Sequence, residues 1–313
     1  MASTMEDQGK RQRTLAREFR VYGKGVHTGQ PVCMTVYPGE PDTGICLLRS
    51  DQPPSRALVL ARWSSVVSAQ YSTDVGNGAG VSVRTVEHLL AALRLASVDN
   101  ALVVLNGPEI PALDGSAAPF LAHIEDMGTV EQDAPARTII LLHPVQVREG
   151  NRYVRLSPSL DPRLTISIDY PGTPLGMQSI AAAAWNEDFL KRDIAPARTF
   201  GFAADHAALM QRGHALGADL GNTVVVDGGR IRNPGGLRYR DEFVRHKLLD
   251  AIGDLYLAGC PIRANYEGFR PGHGLNVSLL RKVFEQNSDA WALVPARTRK
   301  RVESEAPAAL LHG

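Results

Sequence analysis

The chain has 313 residues, 44% of them hydrophobic and 21% charged, which is the composition of a folded protein with one or two cores and excludes global disorder. Lys+Arg 34 against Asp+Glu 33 leaves a formal charge of +1, so no broad field exists for wrapping nucleic acid or coating an anionic membrane, and an anionic ligand must be met by a local site. Cys33, Cys46 and Cys260 are too few and too scattered for a disulfide framework and form no Cys-x-x-Cys pair, which argues against a zinc ribbon and for a reducing compartment.

From the N-terminus, residues 1–12 are polar with no apolar signal core, and no apolar run approaches the roughly 20 residues needed to span a bilayer. A cytoplasmic protein whose first ten or so residues are loose is expected. Short β-branched runs at 33–36, 101–105, 138–142, 164–168, 223–226 and 261–264 predict strands. Apolar residues at three- and four-residue steps predict helices over 85–95 and 241–257. The fold class is therefore mixed α and β. The polar, proline-bearing stretch EQDAPAR at 131–137 separates two structured halves and is the expected domain boundary. Each predicted helix carries a histidine near its start followed by leucines and alanine, a weak hint of internal duplication that would bring the two histidines to one interface.

At 100° per residue the second helix puts Val244, Leu248, Leu249, Ile252 and Leu255 on one broad face and His246, Asp250 and Asp254 on the other. That spacing reads as a solvated face with an i,i+4 interaction. It is also compatible with two metal ligands from one helix, which a third ligand and an open water position would turn into a catalytic zinc site. His88 in TVEH is the natural third ligand, and Glu87 beside it can serve water without holding the metal, or merely populate a helix's first turn. His273 in GFRPGHGLN lies between two glycines on an expected loop, where an imidazole is free to act as acid or base. GKGVHTG at 23–29, EIPALDGSAAPF at 109–120 and ARTFGF at 197–202 stand out as polar, glycine-bearing loops that turn chemistry alone would also explain.

Taken together and in this order, TVEH, EIPALDGSAAPF, ARTFGF, DEFVRHKLLDAIGDL and GHGLN closely resemble the UDP-3-O-acyl-N-acetylglucosamine deacetylases, the zinc amidases of the lipid A pathway. The resemblance runs from about residue 13 to 293. It implies an α+β fold of two similar domains, 13–133 and 134–298, each a sheet on a pair of helices, with a β-α-β insert at about 202–233 forming a passage for the fatty acyl chain. It further implies that one catalytic Zn2+, or Fe2+ in the cell, is held by His88, His246 and Asp250.

Carried over residue by residue, Glu87 becomes the general base, His273 the acid, Asp254 the group that holds and charge-balances His273, and Thr199 the hydroxyl that stabilises the oxyanion. Phe200 faces the sugar or acyl chain, Lys247 meets the diphosphate, His27 lines the site, Tyr170 lies under the uracil and Arg152 near the diphosphate. The implied partner is the small-molecule substrate UDP-3-O-acyl-N-acetylglucosamine, with no nucleic acid, no stable membrane insertion and no obligate protein partner, and the reaction is the committed step of lipid A biosynthesis. One departure is visible: Ser72 stands where some members have a cysteine able to reach the metal, so inhibition by excess zinc does not carry over. A zinc amidohydrolase for another acylated amino sugar or peptide, and a nucleotide-sugar or lipid-binding module without metal, remain as rivals that metal content would separate.

Overall fold

The β-branched runs form strands and the periodic segments form helices, giving a mixed α+β protein in a computed structural model that describes residues 9–184, 186–286 and 289–296. Residues 1–8 of the expected loose start and the last two residues of the expected second domain, 297 and 298, lie outside the described residues.

In the first half, five strands run in the order Phe19–Lys24, Pro31–Pro38, Ala101–Leu105, Ile45–Arg49, Leu58–Leu60. All neighbours are antiparallel except Ile45–Arg49 against Ala101–Leu105. Those two central strands alternate buried and half-buried residues, the mark of a sheet with one face on the core. Val66–Ser68, Asp74–Gly76 and Ser82–Val83 make a smaller sheet that leads into helix α1 (Glu87–Leu95), and α2 (Ala118–Met127) follows.

The second half is built on a seven-stranded sheet centred on Ile262–Phe269. That strand pairs antiparallel with Arg152–Pro158 and parallel with both Arg137–Leu141 and Arg163–Tyr170. A short turn of helix, α3 (Glu187–Phe189), precedes a three-stranded unit in which Phe200–Phe202 runs parallel to Val224–Asp227 across helix α4 (Ala203–Gln211), with Arg230–Ile231 added antiparallel. The β-α-β pattern expected at 202–233 is thus present and begins two residues earlier. Helices α5 (Glu242–Tyr256) and α6 (His273–Arg281) complete the half.

The polar stretch at the expected boundary is not slack. Residues Thr129–Pro135 form a strand antiparallel to Arg11–Leu15, the first strand of the chain. Its exposed charges are the solvent face of an edge strand, which composition alone does not separate from a linker.

Every residue of α1 is buried except Arg94, so this helix is covered on all sides. Its neighbour is α5, and what allows their approach is Gly253: a Cβ there would sit 2.0 Å from the backbone oxygen of Glu87. Backbone cannot swing aside as a flexible side chain would. Gly253→Ala is therefore expected to destabilise the protein by about 1–3 kcal/mol, the scale of overpacking, read as a lower urea midpoint at unchanged m-value. No helix among the described residues is long and apolar enough to cross a membrane.

Candidate active site

The crossing of α1 and α5 decides the reading of the polar stripe on α5. His246, Asp250 and Asp254 are 2%, 2% and 0% exposed, so the solvated-face alternative fails. Val244, Leu248, Leu249 and Ile252 are buried on the other face and Leu255 half-buried, and α5 is sheathed in core on both sides. His88, at the second position of α1, turns its ring against His246, with centroids 5.0 Å apart. Asp250 Oδ1 lies 3.2 Å from His246 Nε2 and 3.6 Å from His88 Nε2, and one donor atom from each residue falls within 4.8 Å of the other two.

The electrostatics suit a cation. Asp250 Oδ1 is buried with no hydrogen-bond partner among the described residues, a costly state for a carboxylate oxygen unless a positive centre faces it. His246 Nδ1 is taken by the backbone oxygen of Ala197 at 3.0 Å, which fixes the ring and leaves Nε2 as the nitrogen able to ligate an ion. Burial pushes the His246 imidazole down to about 3, so it is neutral with a free lone pair. Burial opposes the Asp250 charge, yet His246, Lys247 and His273 hold its carboxyl well below the usual range. Two neutral-capable imidazoles and an ionised carboxylate, with one oxygen unsatisfied, are a donor set for a divalent ion.

Glu87 and His273 face each other beside this centre, with His273 Nε2 3.9 Å from Glu87 Oε1 and 3.9 Å from Asp250 Oδ2. Burial pushes the Glu87 carboxyl up to about 7, against the pull of His273 and His88. His273 goes the other way: burial works against its charge, but the Asp254, Glu87 and Asp250 carboxylates prevail and raise it to about 10. Its Nδ1 is 3.0 Å from Asp254 Oδ2, and Asn276 Nδ2 donates to the same oxygen at 2.8 Å. The loop expected for His273 is corrected: His273 is the first residue of α6, with Gly272 as the extended residue before it. Pro271 and Gly272 break the chain ahead of the helix rather than around the histidine, because a glycine at the second helical position, Gly274, lies in a turn whose N–H groups need no intrahelical partner. The positive helix end disfavours an imidazolium, which makes the Asp254 contact the more necessary.

The remaining predicted site residues fall into two groups. Phe200 lies against His246, with ring centroids 6.3 Å apart, and Tyr170 meets Phe200 at 6.1 Å. Lys247 Nζ stands 5.6 Å over the Phe200 ring. It donates to Asp250 Oδ2 at 2.6 Å, so its charge is directed at the Asp250 carboxylate. Thr199 follows the Ala197 carbonyl that holds His246, and its own amide donates to Gly115 O at 2.8 Å. His27 and Arg152 stand further out. His27 packs edge-on to His214 at 5.4 Å, and burial takes its imidazole down to about 4. Arg152 Nε donates to the Arg270 carbonyl, in the turn just before His273.

Sequence reasoning quoted but did not single out the carboxylates that hold these loops. Glu109, 1% exposed, accepts from the His27 and Thr28 amides and the Thr28 and Thr85 hydroxyls. It therefore pins the GVHTG loop to Thr85, a β-branched residue at φ 58, a strained conformation that needs such support. Glu242, 0% exposed, receives the Arg198 amide and guanidinium and sets the ARTFGF loop on α5. The signal was there in Glu242, the second residue of DEFVRH, and the arginine of ARTF, but nothing in a one-dimensional string pairs them.

The family model described as UDP-3-O-acyl N-acetylglycosamine deacetylase matches residues 12–285. The chain is 42% identical over 280 residues to the UDP-3-O-acyl-N-acetylglucosamine deacetylase of Phenylobacterium zucineum, covering 90% of this chain and 95% of that protein. Against the protein of the same name from Acidithiobacillus ferrooxidans it is 42% identical over 292 residues, 93% of this chain and 95% of the relative. The Campylobacter jejuni protein of that name is 40% identical over 288 residues, covering 91% and 95%.

Proposed function

Because the chain belongs to the UDP-3-O-acyl N-acetylglycosamine deacetylase family, we infer that it hydrolyses the N-acetyl group of UDP-3-O-acyl-N-acetylglucosamine to acetate and the free amine, a step of lipid A biosynthesis. The observation that carries the chemistry is the orphaned Asp250 Oδ1 between two histidine nitrogens. His88, His246 and Asp250 would hold the ion, which we take to be Zn2+ on the strength of an N2O donor set. When bound there, it supplies Lewis acidity toward a carbonyl oxygen and makes nearby water more acidic.

The rest is the work of side chains. Glu87 accepts a proton at Oε1 from the water that adds to the amide carbon. Thr199 donates its hydroxyl to the oxygen that gains charge as that carbon becomes tetrahedral, a type of contact worth ~3 kcal/mol in oxyanion holes. His273 Nε2 then delivers a proton to the departing nitrogen as the C–N bond breaks. At 3.9 Å apart, Nε2 and Oε1 can both reach one reacting centre that sits beside the line joining them. Asp254 orients His273 and balances its charge. Phe200, beside His246, is assigned to the sugar or acyl chain, Tyr170, packed on Phe200, to the uracil, Lys247 and Arg152 to the diphosphate, and His27 to the lining of the site.

We also read the chain as two related α+β units, 13–133 and 134–298. In support, each half has its own sheet and at least two helices of nine or more residues, and each supplies residues to the centre. A cytoplasmic setting fits three cysteines that are all free thiols.

Support for the acyl passage comes from α4, which buries none of its residues, and from Met210, Leu216 and Leu220, which are all exposed. Mass spectrometry of an incubation with UDP-3-O-acyl-N-acetylglucosamine tests the activity through loss of the acetyl group. The same incubation with UDP-N-acetylglucosamine, which lacks the acyl chain, is expected to be very slow, since each buried methylene contributes ~0.8 kcal/mol. Comparable kcat/KM for both compounds would eliminate the passage while leaving the deacetylation intact.

A further inference from the structure

Thr73 is 0% exposed and is held by three hydrogen bonds to two helices. Its carbonyl accepts from the Val86 amide at 3.1 Å, at the entry to α1. Its amide donates to Glu87 Oε2 at 3.0 Å. Its hydroxyl donates to Asp254 Oδ1 at 2.5 Å, on α5. Asp254 turns its other oxygen to His273 Nδ1 at 3.0 Å and to Asn276 Nδ2 at 2.8 Å, and Asn276 is itself held by the Tyr266 hydroxyl at 2.6 Å. Glu87, Thr73, Asp254 and His273 thus form a ring whose one open side is the 3.9 Å gap between Glu87 Oε1 and His273 Nε2.

We propose that Thr73 is a positioning residue for the deacetylation, setting the gap between base and acid by holding Glu87 through its amide and Asp254 through its hydroxyl. The proposal rests on the roles given above to Glu87 and His273. A buried carboxylate that loses a donor rotates or finds another partner. Here rotation of Asp254 would carry the His273 imidazole with it, because Asn276 and the hydroxyl are the other groups that fix the carboxylate plane. Neither Ser72 nor Asp74 substitutes for the hydroxyl, since Ser72 Oγ donates to Asp74 Oδ1 at 2.7 Å.

Thr73→Val keeps shape and amide and removes only the hydroxyl. With metal content and KM unchanged, its kcat is expected to fall about 10–100-fold, the usual effect of losing a group that orients a catalytic side chain. Thr73→Ser should retain kcat within a few-fold. In an Asp254→Asn background, Thr73→Val should add little, because the two act through one contact. Should Thr73→Val not yield folded protein, Thr73→Ser against Thr73→Ala makes the same comparison, since the two replacements differ by the hydroxyl alone. The proposal is overturned if the hydroxyl-free variant keeps its kcat, if Thr73→Ser falls as far as Thr73→Val or Thr73→Ala, if the loss appears in KM, or if it is undiminished in the Asp254→Asn background. His273→Ala measured alongside separates the two levels: normal kcat there removes the assigned acid, whereas a loss there with none in Thr73→Val removes only the role of Thr73.

Discussion

Replacing Glu87 with alanine is expected to leave the metal bound and lower kcat by about 10²–10⁴-fold, whereas His246→Ala is expected to lose the metal itself. The difference follows from where the atoms lie. His246 Nε2 and His88 Nε2 converge on the unsatisfied Asp250 Oδ1, and three protein ligands are already the minimum for a catalytic site, so removing one collapses affinity. Glu87 instead gives one oxygen to the Thr73 amide and turns the other toward His273. Metal analysis of both purified variants, with kcat measured at saturating substrate, checks the division. Equal metal loss in both would contradict it.

The second large effect concerns His273. His273→Ala should cut kcat by about 10²–10⁴-fold with metal retained, and the pH dependence should identify the lost group. An acid that must be protonated supports turnover below its pKa and loses it as pH rises through that value. For His273, raised to about 10 against burial by Asp254, Glu87 and Asp250, this is the basic limb. Glu87 must be ionised, so with burial holding it near 7 it sets the acidic limb. A bound cation favours the deprotonated form of both groups and moves both limbs to lower pH. Because the pair is coupled, the limbs report macroscopic values. His273→Ala should flatten or displace the basic limb. Asp254→Asn, which removes a carboxylate favouring the imidazolium, should move that limb to lower pH. A His273→Ala enzyme with near-normal kcat and the same basic limb would pass the acid's role to another group, with Glu87 as the first alternative.

What could be read from the sequence divides along the range of the interactions involved. The strand at Ala101–Leu105 and the helix at Glu242–Tyr256 were legible because a short β-branched run and apolar residues three and four apart are local patterns. His88, His246 and Asp250 were legible as ligand types, but whether the α5 stripe faced water or a neighbour depended on α1, which arrives from the other half of the chain. The strand at Thr129–Pro135 looked like a linker because its partner is the chain's first strand, more than a hundred residues away. Glu109, Glu242 and Thr73 were hidden for a related reason: a buried polar residue and an exposed one are spelled alike until the donors that satisfy them are known.

The ring that closes through Thr73 also imposes an order in time. Thr73 and Asp254 are 181 residues apart, so at synthesis rates of ~5–20 residues/s the first waits roughly 10–35 s for the second to be made. For most of that interval the nascent chain already contains Glu87 and His88 but lacks His246, Asp250 and His273, and it has no preformed cradle to compete for a scarce ion. Contacts of such span are slow to form. With the ligands proposed above, ion capture would mark the end of biogenesis, and a truncated polypeptide stalled before α5 is expected to sequester no metal at this site.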